Sequence, residues 1–473
     1  MTARTRDGAT VALDDATLDA FRTRLRGTLL RDGDPGYDAA RALWNGMIDR
    51  RPALVARALG TADVVACVDF AREHGLALSV KGGGHNIAGL AVCEGGLVID
   101  LSLMRGVWVD PAARVARAQG GCLLGDVDRE TQLHGLAAVL GFVSETGVGG
   151  LTVGGGFGYL TRRFGWACDN VRAMEVVTAD GRVVRARADE HADLFWGLRG
   201  GGGNFGVVTA FEYALYPVGP EVVGGLVAWH AAEAPAVLAM YRALVEAAPP
   251  EMTCVAVLRK APPAPWLPPE VHGEPIVGLL ACHTGSVAEG EAAAAPIKAF
   301  GAPVGDVLQR RPYVQQQALL DATQPRGRRY YWKSDYLAEL SDGLIEGVLA
   351  HAERLPSPHA AVILFPVDGP LNDLPPDHSP MGNRDARFIL NITAAWDDPA
   401  DDAVNVAWAR ETWEDLRRFS TGGTYINFQT EDEGDDRVRA AYGSNYDRLA
   451  AVKAKWDPDN LFRMNKNVAP QPA

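Results

Sequence analysis

The sequence predicts an α+β protein in two parts, the second inserted into the first. Three observations carry this. Residues 54–80 read as strand, helix, strand, and the last strand runs straight into the glycines of SVKGGGHNIAGL (79–90). Two further glycine-dense stretches, TGVGGLTVGGGFGYLTRRFG (146–165) and RGGGGNFGVVTAFEYALYP (199–217), also border predicted strands. After Pro217 the texture changes to Ala-rich helical patterns and alternating strands, up to about residue 430. The division is therefore a first part at 1–217, an inserted domain at 218–432 and a returning segment at 433–473.

In chain order, DDATLDAFRTRLR (14–26) starts acidic and spaces its apolar residues for a helix. LVARAL (54–59) is a short apolar strand. TADVVACVDFAREHG (61–75) predicts a helix with Thr61 or Asp63 as N-cap and Gly75 as its stop. LALSV (76–80), GLVIDL (96–101), GVWVD (106–110) and RVARAQ (114–119) read as strands, and LLGDVDRETQLHG (123–135) as a helix. AMEVVTADGRVVRAR (173–187) predicts a hairpin turning at Asp180-Gly181. In the inserted part, HAAEAPAVLAMYRALVEAA (230–248) is helical, ARFILNITAAW (386–396) alternates, and the Pro-rich 260–275 is a surface loop. The tail, 443–470, is a helix followed by an extended stretch.

Composition removes several function classes. The chain has 473 residues, 47% of them apolar, and a formal net charge of −13. An acidic balance opposes binding to nucleic acid or to anionic membranes, which want a basic face. There is no apolar stretch of bilayer-spanning length, and MTARTRDGATVALDD lacks the apolar core of a secretory signal, so the expected location is cytoplasmic. The six cysteines are scattered without a C-x-x-C pair, which predicts reduced, buried thiols and no metal site. H-E-x-x-H, G-x-S-x-G and the P-loop pattern are absent.

Three glycine clusters beside strands are either ordinary tight turns or loops converging on one phosphate-bearing ligand, whose oxygens would meet successive backbone N–H groups. Gly201, Gly203 and Gly206 satisfy G-x-G-x-x-G. A nicotinamide site needs a helix to start there, but VVTAFEYAL is β-branched and aromatic and reads as a strand. The pattern matches and its context excludes a Rossmann site.

Four ordered segments, SVKGGGHNIAGLAVCEGGLVIDLSLM, TGVGGLTVGGGFGYLTRRFGWACDNV, DLFWGLRGGGGNFGVVT and NYDRLAAVKAKWDPDNLFRMNKNV, resemble the berberine-bridge-enzyme-like (6-hydroxy-D-nicotine-oxidase-like) branch of the vanillyl-alcohol-oxidase flavoproteins. The resemblance spans about 40–216 and 440–470. It implies a PCMH-type FAD-binding domain of two α/β subdomains, with a substrate domain built on an antiparallel sheet covered by helices. It also implies FAD bonded through Nδ1 of His85 to the 8α-methyl carbon, a role for which a neutral imidazole is suited. Val143 stands where some members carry a second, cysteinyl link, so a single link is expected. Further cofactor contacts are implied at Lys81, Gly82, Gly83, Gly84, Asn86 and Gly89 in the first motif. The second motif contributes Thr146, Gly147, Gly150, Gly154, Gly156 and Gly158, and the third Gly206, Val207 and Val208. Asn427, Asn465 and Asn467 complete the set.

The resemblance places Thr146 where the family has its residue beside flavin C4a, the position that gates oxygen. Its size favours an oxidase over a dehydrogenase, unless its hydroxyl only bonds its own loop. GGTYINFQTED (422–432) resembles the family's Tyr-x-Asn-aromatic strand, on which Tyr425 and Asn427 share a face. Tyr425 is the candidate general base, against the alternative of a core tyrosine. A phenol titrates near 10, so this role wants a cation or hydrogen-bond donors nearby. On FILNITAAW, Asn391 and Thr393 form either a pocket wall or a solvent-facing edge. RRYYWKSDYL (328–337) offers Tyr331 and Lys333 on one face, Tyr330 and Trp332 on the other. His283 and His378 read as surface loop residues.

The resemblance implies an FAD-linked oxidase that takes a hydride from an alcohol, amine or phenolic-type molecule, a sugar or secondary metabolite among them, and returns H2O2. The alternatives are an oxidative cyclase of secondary metabolism and a flavin-binding protein without turnover. The expected partners are a small molecule and O2.

Overall fold

The computed structural model describes residues 1–471. Its α+β architecture has a four-stranded and a six-stranded sheet from the first part and an eight-stranded antiparallel sheet from the insertion. No helix among the described residues is long and apolar enough to cross a membrane.

In the four-stranded sheet the order is Thr28–Leu30, Leu54–Arg57, Leu97–Asp100, Leu78–Lys81. Leu54–Arg57 and Leu78–Lys81 both pair parallel with Leu97–Asp100. Parallel pairing needs a crossover, and helix Thr61–Glu73 supplies it. Neither Thr61 nor Asp63 is its N-cap, contrary to the expectation: Gly60 takes that place with extended backbone. Asp63, inside the first turn, accepts N–H bonds from Leu59 (2.8 Å), Arg26 (2.8 Å) and Gly27 (3.0 Å), so the same carboxylate also fastens the preceding loop. Gly75 ends the helix as expected, at φ +62°, with Leu76 N donating to Ala71 O at 2.8 Å.

The predicted hairpin is present as Val171–Thr178 and Val183–Arg187. Beside it lie Gly206–Pro217, Val115–Gln119 and Val107–Asp110, with Leu136–Ala138 paired to the far end of Gly206–Pro217. Gly206 opens a strand rather than a helix, which is why its G-x-G-x-x-G match carries no nicotinamide site.

The eight-stranded sheet runs Gly305–Asp306, Glu221–His230, Pro275–His283, Met252–Lys260, Ala361–Pro366, Phe388–Trp396, Arg329–Leu337, with Gln309–Pro312 also on Glu221–His230. Helices Ala234–Ala247, Asp342–Ala352 and Asp402–Leu416 bury Tyr241, Leu344 and Trp408 against one face, among Leu279, Leu364 and Leu390. Alternation sends Val255, Phe365 and Ile389 to the other face, where they pack with Phe142, Phe157 and Tyr159 of the first part.

After residue 420 the chain returns. Helices Asp435–Tyr442 and Tyr446–Trp456 join the core of the six-stranded sheet. Lys453 Nζ, fully buried, donates to Asp457 (2.5 Å), Asn204 O (2.7 Å) and Phe462 O (3.0 Å) and so fastens the tail beside the third glycine cluster. All six cysteines are buried and free. His283 corrects the surface reading: it ends the strand Pro275–His283 at 3% exposure, and burial lowers its basicity. His378 does lie in a loop, half-buried beside Arg199.

Candidate functional site

A cavity of about 360 Å³ lies between the glycine loops and the inserted sheet. All three clusters border it: Gly82, Gly83 and Gly84; Gly147, Gly149, Gly150 and Gly154; Gly202, Gly203 and Gly206. The first two loops pack backbone on backbone, since a Cβ on Gly83 would stand 2.5 Å from Gly147 N. At Gly150 and Gly203 a Cβ would meet nothing within 4 Å. Main chain thus forms a cradle into which a long ligand can settle without side chains in its way.

Polar atoms around the cavity lack partners. His85 Nε2, Trp332 Nε1, Asn465 Oδ1, Tyr442 Oη and Gln324 Oε1 all belong to lining residues and are buried without a hydrogen bond. Buried polar groups are normally paired, so these atoms point to a ligand with complementary groups. Among the described residues no Asp or Glu lines the cavity, and Lys466 is its one Lys or Arg. An acidic chain therefore offers a cavity suited to an anionic, pyrophosphate-bearing molecule such as FAD.

His85 borders the cavity, stacked on Trp44 with ring centroids 4.9 Å apart and planes 19° off parallel. Burial, helped by the Arg326 guanidinium, pushes its pKa down to about 3. The imidazole is neutral at physiological pH, with a free lone pair. Asn86, Val207 and Val208 share the lining, as do Asn427 and Asn465.

Other expected contacts stand off the lining of this cavity. Lys81 turns its Nζ to Ala40 O. Gly89, at φ +68°, packs on Ile48, and Gly158 packs on Leu140 O. Gly156 faces Tyr425, to which its N–H donates. Asn467 lies beyond the wall. In each case a motif residue shapes a loop whose neighbour faces the cavity.

Val143 and Thr146 sit on the loop after Gly141, and both border the cavity. Thr146 N donates to Val143 O (3.1 Å) and Thr146 O accepts from Leu124 N (2.9 Å), so backbone bonds hold this turn from within. The inserted domain pins the loop from outside. Asp321 accepts from Ser144 N (2.8 Å) and Oγ (2.5 Å), and Gln317 Nε2 donates to Gly141 O (3.2 Å) and Asp128 Oδ2 (3.1 Å).

Burial pushes Asp128 up to about 7, with Gln317 opposing and the Asp321 charge adding. The native state then keeps a proton that the unfolded chain loses near its ordinary pKa of about 4. The stability tied to that proton is present in acid and is lost as pH rises from about 4 through about 7. Asp128→Asn is expected to remove this loss, gaining up to ~4 kcal/mol over wild type near pH 8 and nothing near pH 4. Melting temperatures across that range check it; a gain equal at both ends would refute the assignment.

Tyr425 is not on a strand, contrary to the expectation. It precedes a single 3₁₀ turn, Ile426–Phe428. The turn still brings its hydroxyl to Asn427: Asn427 Nδ2 and Gly156 N each donate to Tyr425 Oη at 2.9 Å. Burial raises the phenol's pKa, and the two donors oppose it without reversing it. Among the described residues no cation supplies the help that a phenolate base wants. The ring is 2% exposed, stacks near Trp166, meets Phe157 and Phe428 edge-on, and borders the cavity.

Asn391 and Thr393 line the cavity, linked by a 3.2 Å bond from Thr393 Oγ1 to Asn391 Oδ1, so they form a pocket wall and not an outer edge. Their cross-strand neighbour Trp332 lines it too. Tyr331 and Lys333 face the helices instead, with Tyr331 donating to Asp432 (2.7 Å) and Lys333 reaching Glu433 (3.3 Å). The sequence reasoning missed Trp44, Phe142, Phe157, Ile363, Phe365 and Lys466. Alternation in AVILFP was available for Ile363 and Phe365; Trp44 and Lys466 carry no local signal.

A loop-built cradle facing a helix-backed antiparallel sheet, with one neutral histidine on its wall, defines an FAD-linked oxidoreductase, and comparison with known proteins bears this out. The FAD binding domain family matches residues 52–187, and the berberine and berberine-like family matches 424–469. (R)-6-hydroxynicotine oxidase from Paenarthrobacter nicotinovorans is 31% identical over 94% of this chain and 97% of its own. An FAD-linked oxidoreductase of Dictyostelium discoideum is 29% identical over 96% of this chain and 97% of its own. The crystal structure of 6-hydroxy-D-nicotine oxidase from Arthrobacter nicotinovorans superposes with a TM-score of 0.85 at 31% identity, covering 94% of this chain and 98% of that one. The chain belongs to the berberine-bridge-enzyme-like family of FAD-linked oxidoreductases.

Proposed function

We propose that this protein is an oxidase carrying FAD bonded once, through His85, and that it takes a hydride from an alcohol, amine or phenolic-type small molecule and delivers the electrons to O2 as H2O2. The observation that carries the reading is the neutral imidazole on the wall of a three-loop glycine cradle. Bound FAD supplies the hydride-accepting chemistry. Every other task falls to the chain. Residues 1–217 and 433–473 hold the cofactor, and residues 218–432 present the substrate wall. Val143 offers no thiol, so the link is single. Asn391, steadied by Thr393, orients the polar end of the substrate, and Trp332, Ile363 and Phe365 cover its apolar part and keep water out. Tyr425 takes the substrate proton as hydride leaves. The similarity to (R)-6-hydroxynicotine oxidase supports an oxidase with a small substrate, and the aromatic wall favours a planar one.

Thr146 leaves room for O2 beside the reacting ring. Stopped-flow reoxidation in air tests the oxidase reading. Wild type is expected to recover within seconds with stoichiometric H2O2, and Thr146→Leu to slow reoxidation by about 10- to 100-fold while anaerobic reduction by substrate stays similar, an access barrier of ~1.4–2.7 kcal/mol. A wild-type protein that stays reduced for minutes in air would make it a dehydrogenase.

A further inference from the structure

We infer that Trp44 positions the His85 imidazole for its bond to the cofactor and makes that bond depend on seating of the inserted domain. The inference rests on the reading of His85 as the anchor. A histidine ring is usually oriented by a hydrogen bond to one nitrogen, but His85 Nε2 is buried and has no partner. Packing must do that work, and the stacked ring beside it is Trp44. Trp44 is 1% exposed and is itself held by several partners. Its N–H donates to Gly84 O (3.0 Å), the carbonyl next to the anchor. Its indole also stacks on Tyr330 of the inserted sheet, centroids 3.7 Å apart and planes 12° off parallel. Its Nε1 donates to Gln324 O (2.9 Å), and its carbonyl accepts from Gly327 N (2.9 Å).

Asn45 repeats the bridge one residue on. Its Nδ2 donates to Ile87 O (2.9 Å) and Tyr330 O (3.0 Å), while its Oδ1 accepts from Tyr330 N (3.1 Å). Residues 44 and 45 therefore tie the anchor loop, 84–87, to residues 324–330 of the insertion. Before the insertion docks, Trp44 lacks Tyr330 and Gln324, and the His85 ring lacks a fixed plane. Once docked, the imidazole is held in one orientation, as a positioned nucleophile requires. In the attachment itself the imidazole N–H and one 8α-methyl C–H are lost and an N–C bond forms; the two electrons and two protons pass to O2, which leaves as H2O2.

The test is a time course of covalent attachment. Protein produced without flavin is mixed with FAD in air, and samples are precipitated in acid to measure colour held by the pellet. Fluorescence quenching of FAD reports reversible binding in parallel. Trp44→Ala is expected to attach about tenfold or more slowly with reversible binding kept within a few-fold, whereas Trp44→Phe, which keeps a stacking ring, recovers most of the rate. Loss of packing alone would weaken both readouts together. Should Trp44→Ala not fold, Trp44→Leu against Trp44→Phe carries the comparison, and equal rates in those two overturn the inference. Attachment by Trp44→Ala at the wild-type rate overturns it as well, leaving the anchor reading intact. A wild-type protein that binds FAD only reversibly overturns the anchor reading, and this inference with it.

Discussion

Acid-precipitated His85→Ala protein is expected to yield a white pellet and a yellow supernatant, where wild type gives a yellow pellet that survives washing. The expected effect is complete, because His85 is the imidazole on the wall and the two nearest substitutes offer nothing. Val143 has no nucleophile, and Lys466 Nζ is committed to Thr430 O. The chemistry asks for an unprotonated imidazole. Burial and Arg326 hold His85 well below its ordinary pKa, at about 3, so before the bond forms the ring is neutral between about pH 5 and 8. Attachment should consequently be flat between about pH 5 and 8, instead of falling below about 6.5 as it would for an unperturbed histidine. Native His85→Ala should still bind FAD reversibly, since the cradle is backbone and survives the substitution. A yellow washed pellet from His85→Ala would place the link elsewhere.

Much of this site is legible in the sequence because loops built from glycine announce themselves. Gly82–Gly84 follow a strand and Gly200–Gly206 run into one, whereas the 146–158 run borders no strand and forms the short helix Val148–Val153; folding brings all three to one cavity. The context test on Gly206 also holds, since β-branched residues after it do form a strand. Where the reading fails, it fails for two physical reasons. Capping was misplaced because Gly60 adopts the extended backbone of an N-cap and frees Asp63 to serve a distant loop, a tertiary demand that local pattern does not show. The alternation of the Tyr425 segment predicts a strand, but it is a returning chain closed by a 3₁₀ turn, and its hydroxyl finds Gly156 across the domain boundary. Trp44 was silent for the same reason. Its partners lie at positions 85, 324 and 330, and only the docked insertion brings them together.

Replacing Tyr425 by phenylalanine is expected to lower turnover by about 10²- to 10⁴-fold on flavin-loaded enzyme, with anaerobic reduction by substrate slowed in proportion. The hydroxyl accepts two N–H groups at 2.9 Å, from Gly156 and Asn427, which leaves its own O–H free to point at the cavity. Burial keeps the phenol protonated beyond its ordinary range. If Tyr425 takes the substrate proton through its small ionised fraction, that fraction grows tenfold per pH unit below the pKa. The wild-type kcat/KM should then rise with pH from about 7 to 9, and the rise should vanish in Tyr425→Phe. If the hydroxyl only donates to bound substrate, the profile is flat in both proteins and the loss is nearer tenfold. The substitution also strands the Gly156 and Asn427 donors, at ~1–3 kcal/mol each when buried. A lower melting temperature is thus expected under either role, and it is the pH profile that separates them. A Tyr425→Phe enzyme with near-normal turnover and an unchanged slope would move the proton acceptor to another group on the wall.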